Sequence, residues 1–176
     1  MRTRRGWAIR AAGAGALLAL LVAAAAPASA HQPVILGPED TTPASGPLLP
    51  DGTVSYAVRA DVSKGQERGF RFALKRGDRL GVQLLIFDEA PANRLSAAAL
   101  PRVTLIDPKG RRTVLAINER TEFFEPYSKT TYLFLSRVER AGVPGTYRVI
   151  VQGRAAEPVD ATIAVGYREV PGQVMR

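Results

Sequence analysis

Cysteine is absent from this chain, and histidine and tryptophan each occur once. Without cysteine there is no disulfide, no thiol nucleophile, no iron–sulfur cluster and no thiolate zinc site. With His31 as the single histidine, a histidine-rich metal site is excluded, and Ser-His-Asp chemistry depends on that one residue or does not exist. Aromatic residues make up 7% of the chain, and the one tryptophan, Trp7, lies close to the N-terminus. After residue 30 no apolar run approaches the roughly 20 residues that span a bilayer.

The first thirty residues have their own character. Arg2, Arg4, Arg5 and Arg10 form a basic start, Ala11 to Ala26 is small and apolar, and Ala28-Ser29-Ala30 offers an A-x-A cleavage site. This pattern predicts a secretory signal peptide over 1–30. The Arg4-Arg5 pair leaves the Sec and Tat routes both open. Removal of the first 30 of 176 residues takes four arginines and no acids, so the net charge falls from +8 to +4. The remaining charge is spread along the chain with no basic stripe, which argues against a nucleic-acid partner. The expected location is outside the cell, in the periplasm or at the envelope, with no transmembrane segment after cleavage.

Residues 31–50, HQPVILGPEDTTPASGPLLP, are rich in proline and read as an extended arm, with a short edge strand at Val34–Leu36. From 51 to 170 the chain alternates apolar and polar residues with period 2, the signature of half-buried strands. Phe70, Phe72 and Leu74 alternate before Arg76-Gly77-Asp78. Leu80, Val82, Leu84 and Ile86 alternate after it, so Gly69 to Phe87 reads as a hairpin. Further strands are expected at 54–62, 102–106, 113–117, 131–138, 146–152 and 159–167. Asp107-Pro-Lys-Gly110 is a turn, with Asp opening it and Pro fixing φ at the second position. Residues 88–101 break the pattern, with a short helical insertion near 93–100. Residues 118–131 read as an irregular polar stretch, and 171–176 as a flexible tail. Seven to nine short strands with regular turn signals predict an all-β antiparallel sandwich of the jelly-roll or Ig-like kind.

The order of these segments resembles bacterial pre-peptidase C-terminal domains. The aromatic-x-aromatic strand and Gly-Asp turn within Asp61–Leu84 carry the likeness, with Leu105-Ile-Asp-Pro-Lys-Gly110 and Gly145-Thr-Tyr-Arg-Val-Ile-Val151. The resemblance covers roughly Gly52 to Gln152. It implies an exported sandwich that aids export or contacts substrate, and some relatives bind calcium and a polymer. This chain departs from that setting in carrying no enzyme domain beside the sandwich.

Candidate chemistry is sparse. If cleavage follows Ala30, His31 supplies an α-amine and an imidazole, nitrogen donors that suit copper(II), although a histidine brace would need a second histidine. Glu39, Asp40 and Asp51 are candidate oxygen ligands for calcium. Asp88, Glu89, Glu119, Glu122 and Glu125 are candidate carboxylate pairs for glycoside hydrolysis. The serines show no nucleophile elbow. Phe123, Phe124 and Tyr127, beside Arg120, form the best candidate contact surface, because aromatic residues and arginine anchor partners. The expected function is therefore a secreted, non-catalytic module that binds a protein or a polysaccharide. The alternative is a copper-binding protein using His31.

Overall fold

A computed structural model describes residues 31–126 and 128–176; the expected signal peptide, 1–30, and Tyr127 lie outside the described residues. The chain forms an all-β sandwich of two packed sheets. Its strands are β1 (Gln32–Ile35), β2 (Leu48–Leu49), β3 (Tyr56–Val62), β4 (Glu67–Leu74), β5 (Arg79–Phe87), β6 (Arg102–Ile106), β7 (Arg112–Val114), β8 (Thr121–Glu125), β9 (Thr130–Ala141), β10 (Gly145–Gln152) and β11 (Val159–Val165). The first sheet has six strands in the order β1-β3-β11-β5-β9-β8. The second has five, in the order β2-β4-β10-β6-β7. Pairing is antiparallel except at two edges, where β1 runs parallel to β3 and β2 parallel to β4. No helix among the described residues is long and apolar enough to cross a membrane.

The alternation predicts most of these strands because they bury one face. In β3, Tyr56, Val58, Ala60 and Val62 are buried, while Ala57, Arg59 and Asp61 are not. Phe70, Phe72 and Leu74 face them from the second sheet, with Tyr147, Val149 and Val151 of β10. Phe72 and Tyr147 stack with ring centroids 4.9 Å apart. The two buried tyrosines keep their hydroxyls satisfied: Tyr56 donates to the Gln173 carbonyl at 3.0 Å, and Tyr147 accepts from the Val143 N–H at 2.7 Å.

Four expectations need correction. First, Gly69–Phe87 is not a hairpin. β4 pairs with β10 and β2, whereas β5 pairs with β11 and β9, so the Lys75–Asp78 turn carries the chain from one sheet to the other. Asp78 Oδ2 accepts from the Lys75 N–H at 2.6 Å, and Gly77 takes φ +91°. Two amphipathic strands across a tight turn can bury their apolar faces side by side or face to face, and period 2 fits both.

Second, there are eleven strands, not seven to nine. The two that the alternation missed are β2, two residues in the proline-rich arm, and β8, which lies within the stretch read as irregular. Most of β8 is exposed, so it carries no burial alternation.

Third, the helical insertion is a single 3-10 turn at Ala92–Arg94. Asn93 Nδ2 donates to Asp88 at 2.9 Å, and Arg120 donates to the carbonyls of Asn93 and Leu95.

Fourth, β9 does not keep one parity. Leu85 pairs with Phe134 but Leu84 pairs with Ser136, so a bulge inserts one extra residue. Tyr132 and Phe134 therefore share their face with Arg137, not with Ser136.

The arm and the C-terminus close over the second sheet together. The close approach of Thr42 and Pro43 to Gly69 leaves no room there for a side chain. Residues 171–176, expected to be flexible, have partners: Leu48 and Met175 exchange backbone hydrogen bonds at 2.8 and 2.9 Å. Arg176 donates to the buried Asp40 carboxylate at 3.1 Å.

Candidate ligand groove on the outer face of the six-stranded sheet

The strand register writes the outer face as lateral rows. One row runs Pro33, Ala57, Ala164, Gln83, Arg137 across β1, β3, β11, β5 and β9. The next runs Ile35, Arg59, Thr162, Leu85, Phe134, Thr121 and reaches β8. A third pairs Phe87 with Tyr132 and Tyr132 with Phe123. The middle strands contribute small or short side chains, Ala57, Ala164 and Thr162, and the flanks contribute large ones. That difference in size makes a groove of about 430 Å³, bordered by His31 and Pro33 of the β1 side and by Phe123, Glu125, Tyr132 and Phe134 of the β8–β9 hairpin. In a flat sheet β1 and β8 would lie about 24 Å apart at a strand spacing of about 4.8 Å. Lining one groove requires the edges to curl toward each other, as sheet twist allows.

The floor is unusual for an outer face. Leu85, Ala164 and Thr162 are 5, 6 and 5% exposed, so this side of the sheet holds a second, smaller apolar surface. The Thr162 Oγ1 is buried there and finds no protein partner. Rings line one side: Phe123 lies 5.4 Å from Phe134, and Phe87 lies 4.9 Å from Tyr132, centroid to centroid. Arginines cap them. Arg137, placed on this face by the β9 bulge, lies 3.9 Å over the Phe134 ring, and Arg59 lies 4.9 Å over Phe87 while forming an ion pair with Asp160.

Charge at the rim is balanced. Burial lowers the His31 imidazole below its ordinary value, and the carboxylates of Glu169 and Glu125 oppose that shift. The imidazole is thus a neutral donor and acceptor near pH 7. Burial likewise raises the Tyr132 phenol, which keeps its proton. The groove offers an imidazole, an amide (Gln83), a carboxylate (Glu125), a phenol and an orphan hydroxyl beside aromatic carbon. It can bind a molecule that is apolar on its faces and polar at its edges.

The structure brings together three candidates, His31 with Phe123 and Glu125, from distant parts of the sequence. It separates the others. Phe124 points to the opposite side of β8 and is 56% exposed, and Arg120 is engaged with the 92–95 turn. Tyr127 lies outside the described residues.

The carboxylate candidates disperse. Asp40 and Glu39 meet Arg176, Asp51 meets Thr53 and Arg168, and Glu119 meets Arg137 at 3.1 Å. Glu125 is the one acid among the described residues that line the groove. No group of three His, Asp or Glu residues that could hold a metal comes together among the described residues, and the calcium candidates Glu39, Asp40 and Asp51 meet arginines instead.

Sequence reasoning missed Ala57, Gln83, Leu85, Thr162 and Ala164. Their signal was present: Leu85, Phe87, Tyr132 and Phe134 are apolar at positions of solvent parity. A sandwich with one such face carries a second apolar surface. Comparison with protein-family models found no match, and comparison with curated proteins found none either.

Proposed function

We propose that this protein is a secreted or envelope-associated, non-catalytic module that binds a short stretch of polysaccharide in the outer-face groove. The observation that carries the reading is the pairing of aromatic rings with an unpartnered buried hydroxyl in one groove. Sugars present apolar C–H faces and a rim of hydroxyls, and the groove supplies both kinds of partner. Its volume, about 430 Å³, is at the scale of a small ligand. A globular protein partner needs about 800 Å² on each side, which favours a chain segment over a protein face. Export is supported by the composition of residues 1–30, and kinship with pre-peptidase C-terminal domains by the Asp107–Gly110 turn between β6 and β7 together with the Gly145–Val151 stretch of β10.

The test is titration of the full chain against a panel of soluble oligosaccharides. Phe123→Ala and Tyr132→Ala are expected to weaken binding about tenfold, the size of one lost stacking contact of roughly 1–1.5 kcal/mol. Phe124→Ala, on the other side of β8, leaves it unchanged. Equal losses from Phe123→Ala and Phe124→Ala would show that the exposed hairpin, not the groove, is the contact, as for a protein partner.

A further inference from the structure

The outer face of the five-stranded sheet is basic. Arg71 of β4 pairs directly with Arg148 of β10, Arg148 pairs with Ile106 of β6, and Ile106 pairs with Arg112 of β7. Three arginines therefore stand in one lateral row. Strand spacing of about 4.8 Å sets the first two about 5 Å apart at the backbone and the third about 10 Å further. Arg102 adds a fourth cation next to Gln152 of β10. The acid on this face, Glu67, is held by Gln152 Nε2 at 2.6 Å. Among the described residues Arg71, Arg102, Arg112 and Arg148 form no ion pair, in contrast to Arg59, Arg79, Arg111, Arg137, Arg168 and Arg176.

Like charges directly opposite on a sheet are destabilising, so the Arg71–Arg148 pair costs the free protein stability. Arg102, Arg112 and Arg148 are exposed, whereas Arg71 is half-buried and its Nη2 donates to the Gly46 carbonyl of the arm at 3.2 Å, which leaves it at the inner end of the row. Ile106, flanked in its row by Arg148 and Arg112, is only 4% exposed, which fits long stems lying over it with their guanidinium groups at the surface. Guanidinium groups bind carboxylates through two parallel hydrogen bonds.

We infer that this face binds a linear anionic polysaccharide, one carrying a carboxylate on successive sugar units and lying across the strands along the Arg71–Arg148–Arg112 row. A lipid surface fits less well, because the exposed large hydrophobics on this face among the described residues, Val114 and Met175, lie at its opposite edges and form no patch. Single-stranded nucleic acid fits less well because the row offers no aromatic ring for a base. This site is on the sheet opposite the groove and does not depend on the groove's ligand.

The experiment titrates the full chain with polygalacturonate at low and moderate salt, with phosphatidylglycerol vesicles and duplex DNA in parallel. Salt-sensitive binding to polygalacturonate is expected. Arg148→Gln weakens it on the order of fivefold, as for one exposed charge pair, and Arg71→Ala/Arg112→Ala/Arg148→Ala abolishes it. Arg148→Gln melts at or above the wild-type temperature, because a repulsion is removed while most of the stem stays over Ile106, and Arg79→Gln, on the other sheet, does not alter polygalacturonate binding. The proposal is overturned if polygalacturonate does not bind, if Arg148→Gln binds as tightly as wild type, or if vesicles or DNA bind and polygalacturonate does not.

Discussion

Thr162→Val is the substitution that separates stability from binding most sharply. Valine has the shape of threonine and the same β-branched preference for a strand. At this site it removes a hydroxyl that is buried and has no protein partner. Leaving such a group unsatisfied costs about 1–3 kcal/mol, so the variant gains about 1–2 kcal/mol. For the 146 residues from His31 to Arg176, at about 2.1 cal/mol/K of unfolding entropy per residue, each kcal/mol raises Tm by about 3 °C. Calorimetry is therefore expected to show a rise of about 3–6 °C. Saturating oligosaccharide should stabilise wild type more than the variant, because only wild type gains a hydrogen bond from its hydroxyl. Thr162→Ser keeps the hydroxyl and should keep binding while losing some stability with its methyl group. A lower Tm for Thr162→Val would refute the reasoning, since it would mean that the hydroxyl is already satisfied in the free protein.

Two further outcomes follow from the C-terminus and from His31. Arg176→Ala leaves the buried Asp40 carboxylate with the Gly37 N–H at 2.8 Å and without its cation. A loss of about 1–3 kcal/mol is expected because Arg176 itself is half-exposed, and thermal unfolding reads it; an unchanged Tm would show that the C-terminal clasp contributes nothing. For His31, the folded protein binds the proton more weakly than the unfolded chain does, because burial lowers the imidazole's affinity. The unfolded state then takes up the proton first as pH falls. Stability from this residue is complete above about pH 6.5 and declines below it. His31→Gln should flatten that part of the profile in denaturant unfolding, and an identical slope in both proteins would contradict the burial.

Nine strands are visible in the sequence because most of them alternate apolar and polar residues, and a period of 2 is a local property. β3, at Tyr56–Val62, carries its pattern without help from its neighbours. β8 does not, because it is an edge strand with almost nothing buried, and its pairing with β9 is its main structural evidence. The candidate site was legible only in fragments. His31 and Phe123 stood out as a lone histidine and an aromatic in a polar stretch, but no local pattern connects them. The short residues of the floor, Ala57, Thr162 and Ala164, draw notice only when their register places them in adjacent rows.

The sequence by itself determined that this chain forms a cysteine-free β-sandwich, because alternation and turn chemistry act over a few residues and demand an apolar interior. It could not decide which strands are neighbours. The Lys75–Asp78 turn fits a hairpin or a crossing between sheets, and only the packing of β4 on β10 and of β5 on β11 selects the crossing. The same selection builds both surfaces. Strand order and the β9 bulge collect the groove from β1, β3, β5, β8, β9 and β11, and set Arg71, Arg148 and Arg112 in one row although they are scattered along the chain. A binding face on a sheet is a property of register between distant segments, and that register is settled by the shared core.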